Sequence, residues 1–107
     1  MHKIDIKPLS VNACWQGRRF RSKEYKTYQQ AIALLLPPLT APDGELRLEI
    51  IWGLSNKRAD IDNCCKPFQD CLFNHLGVDD SRIYELLLKK EIVPKGQEFI
   101  KFKVESL

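Results

Sequence analysis

The run from Leu46 to Leu54 constrains the fold most strongly, because its apolar side chains recur at every second position. These positions are Leu46, Leu48, Ile50, Trp52 and Leu54. Arg47 and Glu49 lie between them, and a period of two is typical of a strand that buries one face. A buried sheet face needs a second layer of apolar side chains against it, so the run predicts a layered domain built around a sheet.

Two segments have the three-to-four spacing of helices with one buried face. In the first, Ser22 is a plausible N-cap and Pro37-Pro38 ends the helix. Its apolar positions are Tyr25, Tyr28, Ile32, Leu35 and Leu36. The second segment runs from Asp62, the expected N-cap, to Leu76, with Gly77 as the residue that closes it. Pro67 then falls just beyond the first turn of this helix, which predicts a bend or an irregular start.

Three further segments have strand character. Residues 3–7 alternate in polarity until Pro8, and residues 83–93 form a longer run. Residues 99–104 follow the turn at 94–96 and are expected to be the antiparallel partner of 83–93. Residues 9–21 have no period and are expected to be a loop. The element order of strand, helix, strand, helix, strand, strand predicts an α+β fold with a small mixed β-sheet and two helices.

The length and the cysteines limit the protein class. A chain of 107 residues can bury one core, so we expect residues 1–107 to form one domain. The longest apolar run, residues 31–36, is far too short to cross a bilayer, and no signal peptide is expected.

Cys14, Cys64, Cys65 and Cys71 are expected to be reduced, buried thiols of a cytoplasmic protein. Cys71 and His75 have zinc-ligand spacing, but no second pair completes a zinc site.

Charge is unevenly distributed along the chain. Residues 1–30 carry seven Lys and Arg against two acids, a balance of +5, whereas residues 31–107 carry ten against twelve, a balance of −2. The basic first third suggests an anionic partner, and a solvated basic loop is the alternative from charge alone.

Five of the fourteen acidic residues fall between positions 60 and 80. Asp60 and Asp62 lie at a strand-to-helix junction. Asp80 follows the other end of the helix, so it can meet them only from a chain that folds back or from a neighbouring strand end. Clustered carboxylates repel unless they are neutralised, and Mg²⁺ is the usual neutralising ion. Lys66, one helical turn after Asp62, can contact a phosphate, so the combination favours metal-dependent phosphoryl transfer. Taken singly, each feature has an ordinary structural explanation: Asp62 is a helix cap, Asp62 and Lys66 are an i,i+4 pair, and Asp79-Asp80 is a turn before a strand.

The run D-x-D-N-x-x-K-x-x-x-D at positions 60–70, with Gly-Val-Asp-Asp-Ser-Arg-Ile at 77–83, resembles the RusA family of Holliday-junction resolvases of phages and prophages. Pro-Leu-Ser-Val-Asn at 8–12 and Gly-Arg-Arg-Phe at 17–20 also resemble the opening of that family. The resemblance covers nearly the whole chain. It implies a Mg²⁺-dependent endodeoxyribonuclease that resolves four-way junctions by paired symmetric incisions during DNA recombination and repair.

The resemblance also assigns residues. Asp60, Asp62 and Asp80 are implied to be the catalytic, metal-binding carboxylates, and Lys66 the catalytic lysine. Asp79 and Asp70 are neighbours whose contribution stays open. Ala59 is a departure, since relatives can carry a basic residue there, and Lys57 and Arg58 are expected to supply that charge. The DNA-binding candidates are Asn12, Arg18, Arg19, Arg21, Lys23, Lys26, Lys57 and Arg58.

Two equivalent incisions in a symmetric junction call for two active sites, so a homodimer is expected. No membrane and no small-molecule organic cofactor is expected, and the host is expected to be a bacterium with a phage or prophage gene. A non-catalytic DNA-binding protein of the same fold is the alternative. Asp60-Ile61-Asp62 could also be the D-x-D metal site of a sugar-nucleotide transferase. That signal is weak by itself, and 107 residues leave no room for a nucleotide-binding domain as well.

Overall fold

A computed structural model describes residues 1–16 and 20–107. Its strands are β1 (His2–Ile4), β2 (Trp15–Gln16), β3 (Phe20–Arg21), β4 (Leu46–Leu54), β5 (Ile83–Ile92) and β6 (Phe99–Ser106). Its helices are α1 (Lys23–Leu35) and α2 (Cys65–Leu76). One four-stranded mixed sheet and two helices confirm the predicted α+β class, and β2 and β3 add a small antiparallel hairpin within the predicted loop.

The sheet has the order β1-β6-β4-β5, with β4 parallel to β5 and antiparallel to β6. The expected direct pairing of residues 83–93 with 99–104 is therefore wrong, because β4 lies between the two strands. The connection after β5 crosses the end of β4, where the Val93 N–H donates to the Leu54 carbonyl at 2.8 Å. The carboxyl ends of β4 and β5 therefore lie side by side, at the point where the chain leaves β4 toward Asp60 and Asp62.

The predicted alternation of β4 is confirmed, since its five apolar positions are all buried beneath the helices. Trp52 is fully buried and meets the Phe68 ring of α2 edge-on, with ring centroids 5.9 Å apart. Phe68 also packs on Phe102 of β6 at 5.5 Å. These contacts attach α2 to the middle of the sheet and hold its first turn near the end of β4.

Helix α1 begins where the sequence predicts. The Ser22 hydroxyl accepts a hydrogen bond from the Tyr25 N–H at 3.0 Å, which satisfies one of the free donors at the helix start. Tyr25, Tyr28 and Ile32 are buried, as expected. Leu35 is 45% exposed, so its assignment to the buried face is wrong.

Helix α2 begins at Cys65, and its N-cap is Cys64, two residues later than the predicted N-cap Asp62. Residues 61–64 form turns, and the Asp62 carbonyl accepts the Cys65 N–H at 3.1 Å. Pro67 is therefore the third helical residue, where an N–H has no partner within the helix, so the proline costs no hydrogen bond. Gly77 closes the helix as predicted, with a φ of 70° that favours glycine.

All four cysteines are free and buried, which confirms the prediction of buried thiols. Neither helix in the described part of the chain has the length and apolar character that a bilayer span requires.

Candidate active site

Asp60 and Asp62 lie in the turn that joins β4 to α2, and both are exposed. We call residues 55–64 the acidic turn. Its backbone is tightly folded: Asn56 accepts the Ala59 N–H at 3.1 Å through its carbonyl and the Arg58 N–H at 2.9 Å through Oδ1. The Asp60 carbonyl accepts the Asn63 N–H at 3.3 Å. Because hydrogen bonds within the turn occupy its backbone, the two aspartates project from a defined loop into solvent.

Asn63 fastens the acidic turn to the N-terminal segment. Its carbonyl accepts the Val11 N–H at 2.8 Å, and its Nδ2 donates to the Ser10 hydroxyl at 2.8 Å. The same hydroxyl accepts the Asn12 N–H at 3.2 Å, within a short 3₁₀ turn at residues 11–13. We call the stretch of the chain that carries Arg18, Arg19 and Arg21 the basic loop. Residues 10–12, which precede it in the sequence, therefore rest directly on the acidic turn.

Asp80 lies against the first half of α2 and not in the acidic turn. Lys66 Nζ contacts Asp70 Oδ1 at 2.8 Å and Asp80 Oδ2 at 3.1 Å. Gln69 Nε2 donates to the same Asp80 oxygen at 3.0 Å. Positions 66, 69 and 70 share one face of the helix, so a single face holds the ammonium, the amide and one carboxylate. The chain folds back after α2, but this brings Asp80 to Lys66 and not to Asp60 and Asp62.

These contacts set the charge states of the group. The Gln69 amide and then the Lys66 ammonium lower the pKa of Asp80 below its usual value. Hydrogen bonds to Asp70 and then to Asp80 raise the pKa of Lys66. At neutral pH Asp80 is therefore an anion and Lys66 a cation, and each favours the charged state of the other.

The sequence left the role of Asp79 open, and in the structure its carboxylate binds a backbone N–H two residues later. Its Oδ1 accepts the Ser81 N–H at 2.8 Å and so caps a 3₁₀ turn at residues 80–82. This backbone hydrogen bond lowers the pKa of the Asp79 carboxyl. The cap holds the turn that presents Asp80 to α2.

An open groove of about 330 Å³ runs along this face of α2, and Lys66, Asp70, Asp79 and Asp80 line it. A cavity of about 310 Å³ lies behind the acidic turn, against Ala59 and Asn63. Another open groove, about 690 Å³ and mostly apolar, lies between Ile6 and α1, and its lining does not include Asp60, Asp62 or Asp80. The groove at Lys66 is the more polar of the two, and its lining carries one cation and three carboxylates, so it repels a phosphodiester unless a bound cation offsets the carboxylates.

The carboxylates have the oxygen chemistry that a hard divalent cation prefers, but their placement does not make a three-carboxylate site. Among residues 1–16 and 20–107, no three His, Cys, Asp or Glu side chains are close enough to hold one metal ion. Asp60, Asp62 and Asp80 are therefore not brought together, and Asp80 is engaged by Lys66 and Gln69 instead. The geometry does not fit an ion bound by all three.

The DNA-binding candidates fall into two groups. Arg18 and Arg19 lie outside the described residues, as does the side chain of Arg21. The others are all exposed: Asn12 in the 3₁₀ turn, Lys23 and Lys26 in the first turn of α1, and Lys57 and Arg58 in the acidic turn. Lys57 and Arg58 immediately precede Ala59, so two cationic side chains stand next to Asp60 along the chain.

Two site residues were missed in the sequence. Gln69 stands three positions after Lys66, and this helical spacing is a signal that places it beside the lysine. Lys90, on β5, donates through Nζ to the Ala59 carbonyl at 2.8 Å and to the Lys57 carbonyl at 3.2 Å. No sequence pattern indicates a contact between a strand lysine and carbonyls some thirty residues earlier.

Comparison with known proteins gives one family. The family model of the endodeoxyribonuclease RusA matches residues 9–101 of the 107. No curated protein matches the chain. The matched range begins before the 3₁₀ turn and ends within β6, so it includes the acidic turn, α2 and Asp80.

Proposed function

The chain belongs to the RusA endodeoxyribonuclease family, and from this we propose that it cuts four-way DNA junctions by paired symmetric incisions. Family membership makes it a nuclease of the Holliday-junction resolvase class. The finer parts of the proposal are dependence on Mg²⁺, the roles of individual residues, a homodimer, and action in recombination and repair. A cytoplasmic location in a bacterial host, with a phage or prophage gene, completes the proposal.

The observation that carries the proposal is the contact of Lys66 with Asp80 at 3.1 Å, on the face of α2 that follows the acidic turn. Fourteen residues separate the two, and both lie in the segments that resemble the family motif. Lys66 offers an exposed cation to a phosphodiester, and Asp70, Asp79 and Asp80, which line the same open groove, would need a bound cation to offset their charge.

Lys66 is suited to bind the scissile phosphate. Its side chain is 62% exposed, so a non-bridging phosphate oxygen can reach the ammonium from solvent. The ammonium carries three donors, and two acidic partners use two of them. A phosphate oxygen bound by the third would have its negative charge stabilised as the phosphorus becomes pentacoordinate.

Mg²⁺ is proposed as the cofactor, with Asp60 and Asp62 as its carboxylate ligands; Asp80, the third ligand that the resemblance implies, is bonded to Lys66 and Gln69. The ion would supply a bound water of lowered pKa and charge stabilisation at the phosphate. For Asp80 to join the other two carboxylates, its oxygen has to exchange the bonds to Lys66 and Gln69 for the ion. A requirement for divalent cation, measured by chelation and re-addition, tests this part.

The proposed DNA surface comprises the basic loop and the first turn of α1, continued by Lys57 and Arg58. Their positive charges would neutralise backbone phosphates without reading sequence. The hydrogen bonds of Asn63 to Ser10 and Val11 support a continuous surface, because they dock the N-terminal segment on the acidic turn.

A homodimer is proposed because two equivalent cuts need two active sites. The ten-residue strand β5 is a candidate dimer contact. It lies at an edge of the sheet, paired with β4 on one side, and its Tyr84 and Leu86 side chains are 66% and 44% exposed. Long edge strands with exposed apolar residues tend to pair with another chain. Sedimentation velocity is expected to give a dimer mass at the concentrations at which junctions are cut, and a monomer there would contradict this part.

Substitution of the two exposed aspartates tests the proposed catalytic roles. Asp60→Asn and Asp62→Asn are each expected to abolish nicking of a synthetic four-way junction while gel-shift binding persists, because the amide keeps the shape and removes the charge. Asp43→Asn, at an exposed position of the turn before β4, is the matched control and is expected to cut normally.

Equal cleavage by the wild type and by Asp60→Asn and Asp62→Asn would refute the catalytic assignment. Binding without any cleavage by the wild type, in the presence of Mg²⁺ or Mn²⁺, would instead support the alternative of a non-catalytic DNA-binding protein. The observation that keeps this alternative is that the described residues do not gather three metal ligands.

A further inference from the structure

The acidic turn is anchored at both ends, and a separate contact holds its middle. Asn56 closes the first part through its side chain and its carbonyl, and Asn63 ties the last part to Ser10 and Val11. Asp60 stands between these two anchors. A side chain of β5, Lys90, bonds to this middle stretch.

The register of the sheet explains how Lys90 reaches the turn. Lys90 pairs with Trp52 across the parallel β4–β5 ladder, so the two side chains point to the same face of the sheet. Trp52 is buried on the helix-covered face, two residues before β4 ends. The Lys90 side chain therefore extends past the end of β4, where its ammonium donates to the carbonyls of Lys57 and Ala59.

The next lysine along β5 points the other way. Lys89 pairs with Ile51 and lies on the opposite face of the sheet, where its ammonium is 3.7 Å from Glu49. The two lysines thus have the same charge and similar exposure and stand one residue apart, but only Lys90 contacts the acidic turn.

The space behind the turn makes the contact important. Ala59 is half-buried and packs against the edge of the core, but Ala59 and Asn63 also line the cavity of about 310 Å³, so the space beneath this part of the turn is only partly filled. Hydrogen bonds therefore help to hold this part of the turn, and those from a charged donor are stronger than neutral ones. The Ala59 carbonyl belongs to the peptide bond that enters Asp60, so its orientation sets where the Asp60 side chain starts.

We infer that Lys90 is a positioning residue that holds the peptide before Asp60 and so fixes the direction of the Asp60 carboxylate. The inference rests on the proposed function of Asp60, because it assigns a support to that catalytic group. Lys90 acts through the backbone of Lys57 and Ala59 and is not assigned a contact with DNA.

Three variants test the inference. Lys90→Met removes the donors and keeps the length of the side chain, Lys90→Arg keeps the charge and the donors, and Lys89→Met is the matched control on the opposite face. The readouts are the backbone ¹³C carbonyl shifts of Lys57 and Ala59 and the ¹⁵N relaxation of residues 57–62 in the DNA-free protein. Junction affinity and the single-turnover cleavage rate complete the set.

In Lys90→Met we expect the two carbonyl shifts to move and residues 57–62 to become more mobile. We expect the cleavage rate to fall about 10-fold or more, since small displacements of a catalytic group are costly, with junction affinity unchanged within about two-fold. Lys90→Arg should recover most of the rate, and Lys89→Met should match the wild type in every readout.

Unchanged carbonyl shifts and relaxation in Lys90→Met would overturn the inference, and so would a loss of junction affinity with the cleavage rate unchanged, which would make Lys90 a DNA contact. If the wild type cuts no junction, the proposed function fails, but the shifts and relaxation still decide whether Lys90 holds the turn.

Discussion

Replacement of Gly53 by alanine is a direct test of how β4 is packed. Gly53 is the residue before the end of β4 and lies against the ring of Phe99 in β6. A Cβ at this position would stand 2.3 Å from Cδ2, 2.4 Å from Cε2 and 2.8 Å from Cγ of that ring. Carbon atoms do not approach so closely, so the ring or the strand has to move by more than an ångström.

The movement is costly because the ring is confined. Phe99 is only 6% exposed, and the ammonium groups of Lys3 and Lys101 lie over it at 5.0 and 5.1 Å from its centroid. Overpacking of a well-packed site destabilises proteins by about 1–3 kcal/mol. For a chain of this size each kcal/mol lowers the melting temperature by about 4 °C or more, so we expect Gly53→Ala to melt roughly 4–12 °C lower.

A double-mutant cycle isolates the clash. Urea unfolding of the wild type, Gly53→Ala, Phe99→Ala and the double variant gives the coupling free energy between the two positions. Without the ring, alanine in a strand is as good as glycine or better, so the added methyl should be neutral or stabilising in the Phe99→Ala background. A Gly53→Ala cost that is the same in both backgrounds would refute the packing argument.

Two further predictions concern local contacts. Ser22→Ala removes the N-cap of α1 and should lower the free energy of unfolding by about 1 kcal/mol, measured by urea unfolding beside Ser106→Ala, at an exposed strand end, which should change little. Asp80→Asn should lower the free energy of unfolding only at pH values where Asp80 is ionised and so pairs with Lys66. Because the pKa of Asp80 in the folded protein is lowered, its ionised form contributes fully to stability above the usual aspartate pKa of about 4. That contribution is lost as the pH falls through the lowered pKa. Unfolding curves of the wild type and Asp80→Asn should therefore differ near pH 7 and converge in acid, and a difference that grows in acid would contradict the assignment.

Local patterns in the sequence predicted the two helices and the longer strands, but they missed the small β2–β3 hairpin and did not give the arrangement of the strands. The alternation in β4 and the cap at Ser22 depend on neighbouring residues, so both were predictable. The sheet order was not, because periodicity does not state which strand lies beside which, and β4 separates β5 from β6. A short turn after β5 suggested a hairpin, whereas the chain crosses the end of β4 there.

The same limit applies to the site. The motif residues pointed to the segment from Asp60 to Asp80, and the length of the helix meant that Asp80 could meet Asp60 and Asp62 only from a folded-back chain or a neighbouring strand end. Its partners were not predictable: Gln69 and Lys66 take Asp80 because the 3₁₀ turn after Gly77 directs it toward α2. Lys90 was missed because it binds backbone carbonyls, which every sequence has.

Incubation of the wild-type protein and Mg²⁺ with a labelled mobile four-way junction, beside linear duplex and three-way controls, tests the proposed function most directly. We expect paired nicks at symmetric positions on two opposing strands of the four-way junction, little cutting of either control, and loss of cutting when the metal is chelated. Absence of junction cleavage by folded protein that binds the junction, or equal cleavage of linear duplex, would contradict the proposed function.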